Sequence, residues 1–299
     1  MNILHIDTGR EMRGGQWQAL YLARGLAAQG HRSRLLAPAG SPLLEAAHAL
    51  RLDARPLHAP FLLAGAGDAH LVHAHDARAH TLALLSRKPV VVSRRVAFPL
   101  RRSVATRLKY RHAKHYIAVS NFVKRVLIDG GVEAERISVV YDGVPVDPSP
   151  LRSEHRITAL ALDSDDPGKG KKIIEEAAAL AGIPVCFSKN LPRDLPDAAL
   201  FVYITDLEGF GSAVLLAMAA ATPVLASAVG GLPEIIQDGH TGLLTSNDPQ
   251  AVAAGLRRLL DDRDFAQTLA ARGRARVERC FPVERVVEET IRVYERILS

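Results

Sequence analysis

Cysteine is scarce in this chain, and so are aromatic residues and uninterrupted apolar runs. Only Cys186 and Cys280 are present among 299 residues, far apart and without metal-ligand spacing. That favours a reducing compartment with no disulfide framework. Aromatic residues make up 5%, and none forms a stacking pattern beside the basic residues, so a nucleic-acid module is not expected. The opening MNILHIDTGREMRGG is a short apolar run closed by Asp7, with no basic lead or long apolar core; it reads as a first strand rather than a signal peptide. Ala213 to Leu232 carry no charge, but Pro223, Ser227 and the pair Gly230, Gly231 break that run into helix, strand and turn, so it reads as buried core. A cytoplasmic protein is expected.

Acidic residues are missing altogether between Asp76 and Asp129. Residues 1–154 carry 22 Lys and Arg against 12 Asp and Glu, whereas 155–299 carry 16 against 20, for a net charge of +6. Arg94, Arg95, Arg101, Arg102, Arg107, Lys109, Arg111 and Lys114 crowd one short stretch. Such a stretch is either a solvated basic helix or a localised positive field for an anionic membrane or a phosphorylated acceptor.

What is present is an alternation of strand-like and helix-like segments, twice over. NILHI, SRLLAP, HLVHA, PVVVS, YIAVS and ISVVY are short apolar runs, and helical patterns separate most of them. Ala19, Leu22, Ala23, Leu26 and Ala27 mark one helix face that Gly30 ends. The alternation resumes with ITALAL, the helix KKIIEEAAALAG, PVCF, ALFVYIT, a helix after Gly211, and PVLAS. The expected class is α/β, with two doubly wound parallel sheets in domains 1–150 and 151–299, joined through DPSPLRSEHR at residues 147–156. Ligands of such sheets bind beyond the C-terminal ends of the strands, which puts the expected site in a cleft between the domains.

Several short motifs fall at those strand ends. Gly14 and Gly15 open a helix after the first strand, as in half of a phosphate cradle. His75 and Asp76 follow HLVHA; a histidine beside a carboxylate binds a sugar hydroxyl or shuttles a proton, or serves structure alone. Lys169 sits in SDDPGKGKK, where its ammonium either meets a phosphate or is solvated. In EGFGSAVLLAM, Glu208 precedes a glycine turn, and Ser212 is placed to cap the following helix, whose first N–H groups attract a phosphate. A plain turn with a solvated Glu208 is the alternative. Asp163, Ser164 and Asp165 form a DxD, yet the two-sheet pattern does not suit the fold that uses it, and no metal is expected. GKGKK lacks the flanking residues of a P-loop.

Taken in order, these pieces resemble the retaining glycosyltransferases of the GT-B fold, specifically glycosyltransferase family 4 (group 1). The resemblance is carried by the GG loop, QGH at 29–31, VHAHD at 72–76, AVSNFVKRVL at 118–127, ISVVYDGV at 137–144, KG at 169–170, EGFG at 208–211 and PVLASAVGGLPEIIQDGHTGLL at 223–244. It implies a first domain that binds the acceptor and a second that binds a nucleotide-sugar donor, with no further cofactor. It implies that Glu208 faces the donor sugar, that Gly209, Phe210, Gly211 and Ser212 surround the donor diphosphate, and that Lys169 neutralises it. His75 would sit by the reacting centre and Gly14 and Gly15 beneath the diphosphate. The final helix, VERVVEETIRVYERIL, would return to the first domain.

The resemblance has departures. The family's second glutamate, eight positions after the first, corresponds to Leu216, and the arginine before KG corresponds to Ser164. A charge-assisted hydrogen bond is worth about 1.5–3 kcal/mol, so ribose binding here is weaker or done by another group. The stretch between Gly170 and Glu208 is short, as if a strand and helix had been trimmed from the C-terminal domain. The expected function is transfer of a sugar, with retention, to a glycolipid or polysaccharide precursor of the cell envelope, such as lipopolysaccharide. Arg94, Arg95, Arg101 and Arg102 would face an anionic acceptor or the inner surface of the membrane. The alternative is a catalytically degenerate scaffold on the same fold.

Overall fold

A computed structural model describes residues 1–58, 66–101, 103–147 and 159–299, and every strand pairing among them is parallel. The chain folds into two units, Met1–Asp142 with Val283–Ser299, and Gly143–Pro282. The division expected at 150/151 therefore falls at 142/143. Val144 forms a bridge with Pro282, which ties the residues after Asp142 to the second unit. Most of the expected linker, residues 148–156, lies outside the described residues.

In the first unit the order is β1 (Asn2–Ile6), α1 (Gly14–Ala28), β2 (Arg32–Ala37), α2 (Pro42–Ala49), β3 (Asp53–Pro56), β4 (Leu71–Ala74), α3 (Ala77–Ala83), β5 (Val90–Arg94), α4 (Val104–His112), β6 (His115–Ala118), α5 (Asn121–Asp129) and β7 (Ile137–Val139). The sheet order is β3-β2-β1-β4-β5-β6-β7, so the winding reverses between β1 and β4. Strands β4 and β6 are buried throughout, as strands covered on both faces must be. The strand β3, DARP, is polar and sits at the sheet edge, which is why apolar runs do not reveal it. Ser41, Asp76, Ser103 and Ser120 each accept a backbone N–H at the start of α2, α3, α4 and α5.

The second unit runs β8 (Ala159–Leu162), α6 (Lys171–Ala181), β9 (Val185–Ser188), α7 (Leu191–Asp194), β10 (Leu200–Tyr203), α8 (Ser212–Ala219), β11 (Val224–Ser227), α9 (Leu232–Ile235), β12 (Leu243–Thr245), α10 (Pro249–Asp261) and α11 (Arg263–Cys280). Its five strands are ordered β12-β11-β10-β8-β9, with the reversal between β8 and β10. The core gathers Leu200, Val202 and Ile204 with Val252, Leu256 and Leu269.

The last helix, α12 (Val283–Leu298), belongs to the first unit. Val283, Val286, Val287, Thr290, Val293 and Tyr294 recur at spacings of one, three and four and are buried. The four valines and Tyr294 join Ile3, Leu22, Leu26 and Val91 in one cluster. Gly25 of α1 lets α12 approach closely, since a Cβ there would lie 2.3 Å from Val287 Cγ2. Each fully buried valine contributes about 1.5–3 kcal/mol relative to exposure.

Candidate functional site

The ends of β8 and β10 meet where the second sheet reverses, the position at which open α/β sheets place ligands. The strand β10 ends at Tyr203, and a short loop then brings Glu208 back toward the segment Pro167–Lys169 that follows β8. Lys169 Nζ lies 2.8 Å from Glu208 Oε2 and donates to the Tyr203 hydroxyl, also at 2.8 Å. The Tyr203 hydroxyl donates to Glu208 Oε2 at 2.5 Å, and Gly209 N–H donates to Oε1 at 3.0 Å. Both ends of the ion pair are mostly buried, with side-chain exposures of 23% and 16%. Burial, with the Glu208 charge second, holds the Tyr203 hydroxyl well above its ordinary pKa, so it stays a phenol and a donor.

Two glycines open the helices that flank this pair. Gly170 precedes α6 at φ 61° and Gly211 precedes α8 at φ 117°, and no side chain caps either helix. Ser212, expected as a cap, is the first residue inside α8, because the turn after Glu208 needs the positive φ that Gly211 supplies. The Phe210 ring is buried edge-on against Phe281, so its side chain serves the core and only its backbone remains for a ligand. Behind the loop, Gly231 N–H donates to the Glu208 carbonyl at 3.0 Å. Leu216 stands half-buried one turn along α8 from Ser212, on the face the core does not take. In the DxD, Asp163 pairs with Lys171 at 3.0 Å and faces Lys189 at 3.7 Å.

The first unit gathers its polar groups at the corresponding reversal between β1 and β4. Asp7, fully buried, accepts from Gly9 N–H and from Gln16 of α1, and burial raises its pKa. Asp76 accepts from Thr8 and from the first N–H groups of α3. His75 is 4% exposed and its Nε2 lies 3.0 Å from His5 Nδ1. His73 is engaged by Tyr294 of α12 and by Ser93. Burial depresses all three histidines, His5 to about 3, so the cluster is neutral at physiological pH. One nitrogen from each of His5, His73 and His75 lies within 4.8 Å of the others. The His5–His75 bond, the two bonds of His73 and the guanidinium of Arg95, 3.5 Å from His75 Nδ1, engage the other nitrogens of the cluster, while His5 Nε2 is buried with no hydrogen-bond partner among the described residues.

The expected basic surface is corrected in two places. Arg95 turns inward, its Nε 3.1 Å from Asp142 and its chain beside Gly15, because the carboxylate at the end of the unit draws it there. Arg94 reaches the Phe98 carbonyl and the Tyr110 hydroxyl. Arg101 is exposed, and Arg102 lies outside the described residues. Residues not singled out in the sequence are thus Tyr203, His5, His73 and Asp142, while Arg95, expected on an acceptor- or membrane-facing surface, is paired inward with Asp142. The one available signal was register: NILHI and LVHAH pair so that His5 faces His73.

With this geometry established, comparison with known proteins is direct. Residues 12–148 match the model of Glycosyltransferase Family 4, and residues 168–276 match that of Glycosyl transferases group 1. A D-inositol 3-phosphate glycosyltransferase of Nocardioides sp. is 36% identical over 115 residues, 38% of this chain and 25% of that protein. An Escherichia coli O-antigen chain mannosyltransferase B is 35% identical over 108 residues, 36% of this chain and 28% of that one. The matched stretch is about a quarter of the length of these curated relatives. Anabaena HepE, solved in complex with UDP and glucose, superposes with a TM-score of 0.87 at 18% identity over 99% of both chains, which shows the fold. Two parallel sheets of the GT-B kind and two family models covering most of the sequence lead to one conclusion: the chain belongs to the group 1 glycosyltransferases of family 4.

Proposed function

We propose that this protein moves a sugar from a nucleotide-sugar to a hydroxyl of a glycolipid or polysaccharide precursor of the cell envelope, with retention and without a metal ion. The observation that carries this is the Lys169–Glu208 pair at the sheet reversal, beside the uncapped start of α8. An anionic diphosphate takes the ammonium of Lys169 and the first N–H groups of α8, which leaves Glu208 free to accept from a sugar hydroxyl. As the bond to the sugar breaks, charge builds on the leaving diphosphate, where those same donors stabilise it. HepE, solved in complex with UDP and glucose, supports the donor class, and the relative named for O-antigen supports the envelope setting. The acceptor falls to the first unit, with His75, Asp7 and Arg95 at its reversal.

Leu216 favours a second possibility, a non-catalytic binding protein, because no carboxylate stands on the open face of α8. Calorimetric titration with UDP, GDP, ADP and their hexose derivatives separates the two. Micromolar binding of one nucleotide-sugar, followed by turnover with a lipid or glycan acceptor, is expected. Silence with every nucleotide would leave only the binding protein.

The membrane contact belongs to the exposed face of α4 and the loop before it. Phe98, Val104 and Leu108 are 64%, 74% and 61% exposed, beside the exposed cations Arg101, Arg107 and Arg111. Apolar side chains that enter the lipid boundary, with cations worth about 1 kcal/mol each near an anionic surface, bind such a membrane. Co-sedimentation with vesicles containing anionic lipid is expected, and Val104→Glu with Leu108→Glu weakens it by roughly ten-fold or more. Vesicle binding untouched by the double substitution and by salt would rule this face out.

A further inference from the structure

We propose that Tyr203 is a positioning residue for the donor pair, holding Glu208 in place while Lys169 is drawn away to the diphosphate. This rests on the assignment of Lys169 and Glu208 to the donor site. The hydroxyl at the end of β10 touches both partners of the ion pair, at 2.8 Å from Lys169 Nζ and 2.5 Å from Glu208 Oε2. Its single proton goes to the carboxylate, and its lone pairs accept from the ammonium. The ring is fixed in turn: Tyr203 is 5% exposed, it stacks on Phe201 at 6.0 Å, and Lys169 Nζ lies 5.2 Å from its centroid. Tyr203 therefore belongs to the rigid strand, while Lys169 and Glu208 belong to the loops that follow strands.

That difference has a consequence for binding. In the structure Lys169 is committed to Glu208, so a diphosphate competes with a carboxylate for it. Were Lys169 the only side-chain partner of Oε2, its departure would leave that oxygen mostly buried and unpaired, which is costly. With Tyr203 the oxygen keeps a donor, and Oε1 keeps the Gly209 N–H. Glu208 stays in place with lone pairs left for a sugar hydroxyl. Recognition of the sugar, rather than of the diphosphate, is what Tyr203 secures.

The test is a comparison of ligands with and without the sugar. Calorimetry on the full chain and on Tyr203→Phe uses UDP, GDP and ADP beside UDP-glucose, GDP-mannose and ADP-glucose. Affinity for the preferred nucleotide-sugar should fall by about ten-fold or more in Tyr203→Phe. Affinity for the matching bare diphosphate should stay within about two-fold. The thermal midpoint reports whether the variant folds. In a Glu208→Gln background the same Tyr203→Phe change should have little further effect, because the hydroxyl acts through the carboxylate. Equal losses for both ligands, or no loss for either, overturn the role of Tyr203 and leave the donor site standing. A parent protein that binds none of the six overturns both.

Discussion

Lys169→Ala is expected to lower kcat/KM by roughly 100- to 1000-fold, about 3–4 kcal/mol of transition-state stabilisation. Two losses combine. The diphosphate loses the side-chain cation described at this reversal, and Glu208, no longer neutralised, presents its carboxylate to an incoming anion. Because the second loss is a repulsion, it can be relieved: Lys169→Ala with Glu208→Gln should bind the bare diphosphate more tightly than Lys169→Ala alone. Lys169→Arg should recover only part of the rate, since a planar guanidinium does not fit a point-charge position between Tyr203 and Glu208. Steady-state kinetics with varied donor separates the effects, and diphosphate affinity in Lys169→Ala equal to that of the parent would sink the role of this lysine.

Gly230→Ala is expected to be the most disruptive small substitution at the site. Gly230 has φ +59°, and a Cβ there would lie 2.0 Å from the Glu208 carbonyl oxygen, with the Glu208 amide nitrogen at 3.1 Å. Neither contact can be relieved by turning a side chain, so the Glu208 loop itself must move. Gly239 provides the control, with φ +67° and open space around its added Cβ. Gly239→Ala should cost only the left-handed backbone strain, about 1–2 kcal/mol. Gly230→Ala should cost that and the displacement together, roughly 3 kcal/mol or more, and a thermal midpoint lower by several degrees relative to Gly239→Ala. Equal midpoints for the two variants would show that the approach of Gly230 to Glu208 does not matter.

The architecture was legible because its signal is local. Buried parallel strands are continuous apolar runs, and α12 declares its buried face by spacing alone. The candidate site was legible where glycine and charge coincide, as at Lys169 and EGFG, and at the histidine beside Asp76. Tyr203 was hidden because a tyrosine in ALFVYIT reads as one more core aromatic; its hydroxyl becomes meaningful only when Lys169 and Glu208 arrive from two other segments. The inward turn of Arg95 was hidden for the opposite reason. This residue lies in a run of cations with no nearby acid, and its partner, Asp142, is 47 residues away. His75 was singled out beside Asp76, but its neighbours His5 and His73 were not. Histidines one strand apart are neighbours only once β1 and β4 are known to pair.

Gly143–Pro282 is inserted between the two segments of the first unit, with Val144 and Pro282 bridged at its two ends, and this bears on folding during synthesis. The inserted unit is continuous in sequence, so its internal contacts are all available once its own last residue emerges. The first unit begins earlier and finishes later. Until α12 is made, Ile3, Leu22, Leu26 and Val91 have no cover from that helix, and His73 has no Tyr294. Until then the nascent chain carries an uncovered apolar face, the kind of surface that chaperones shield.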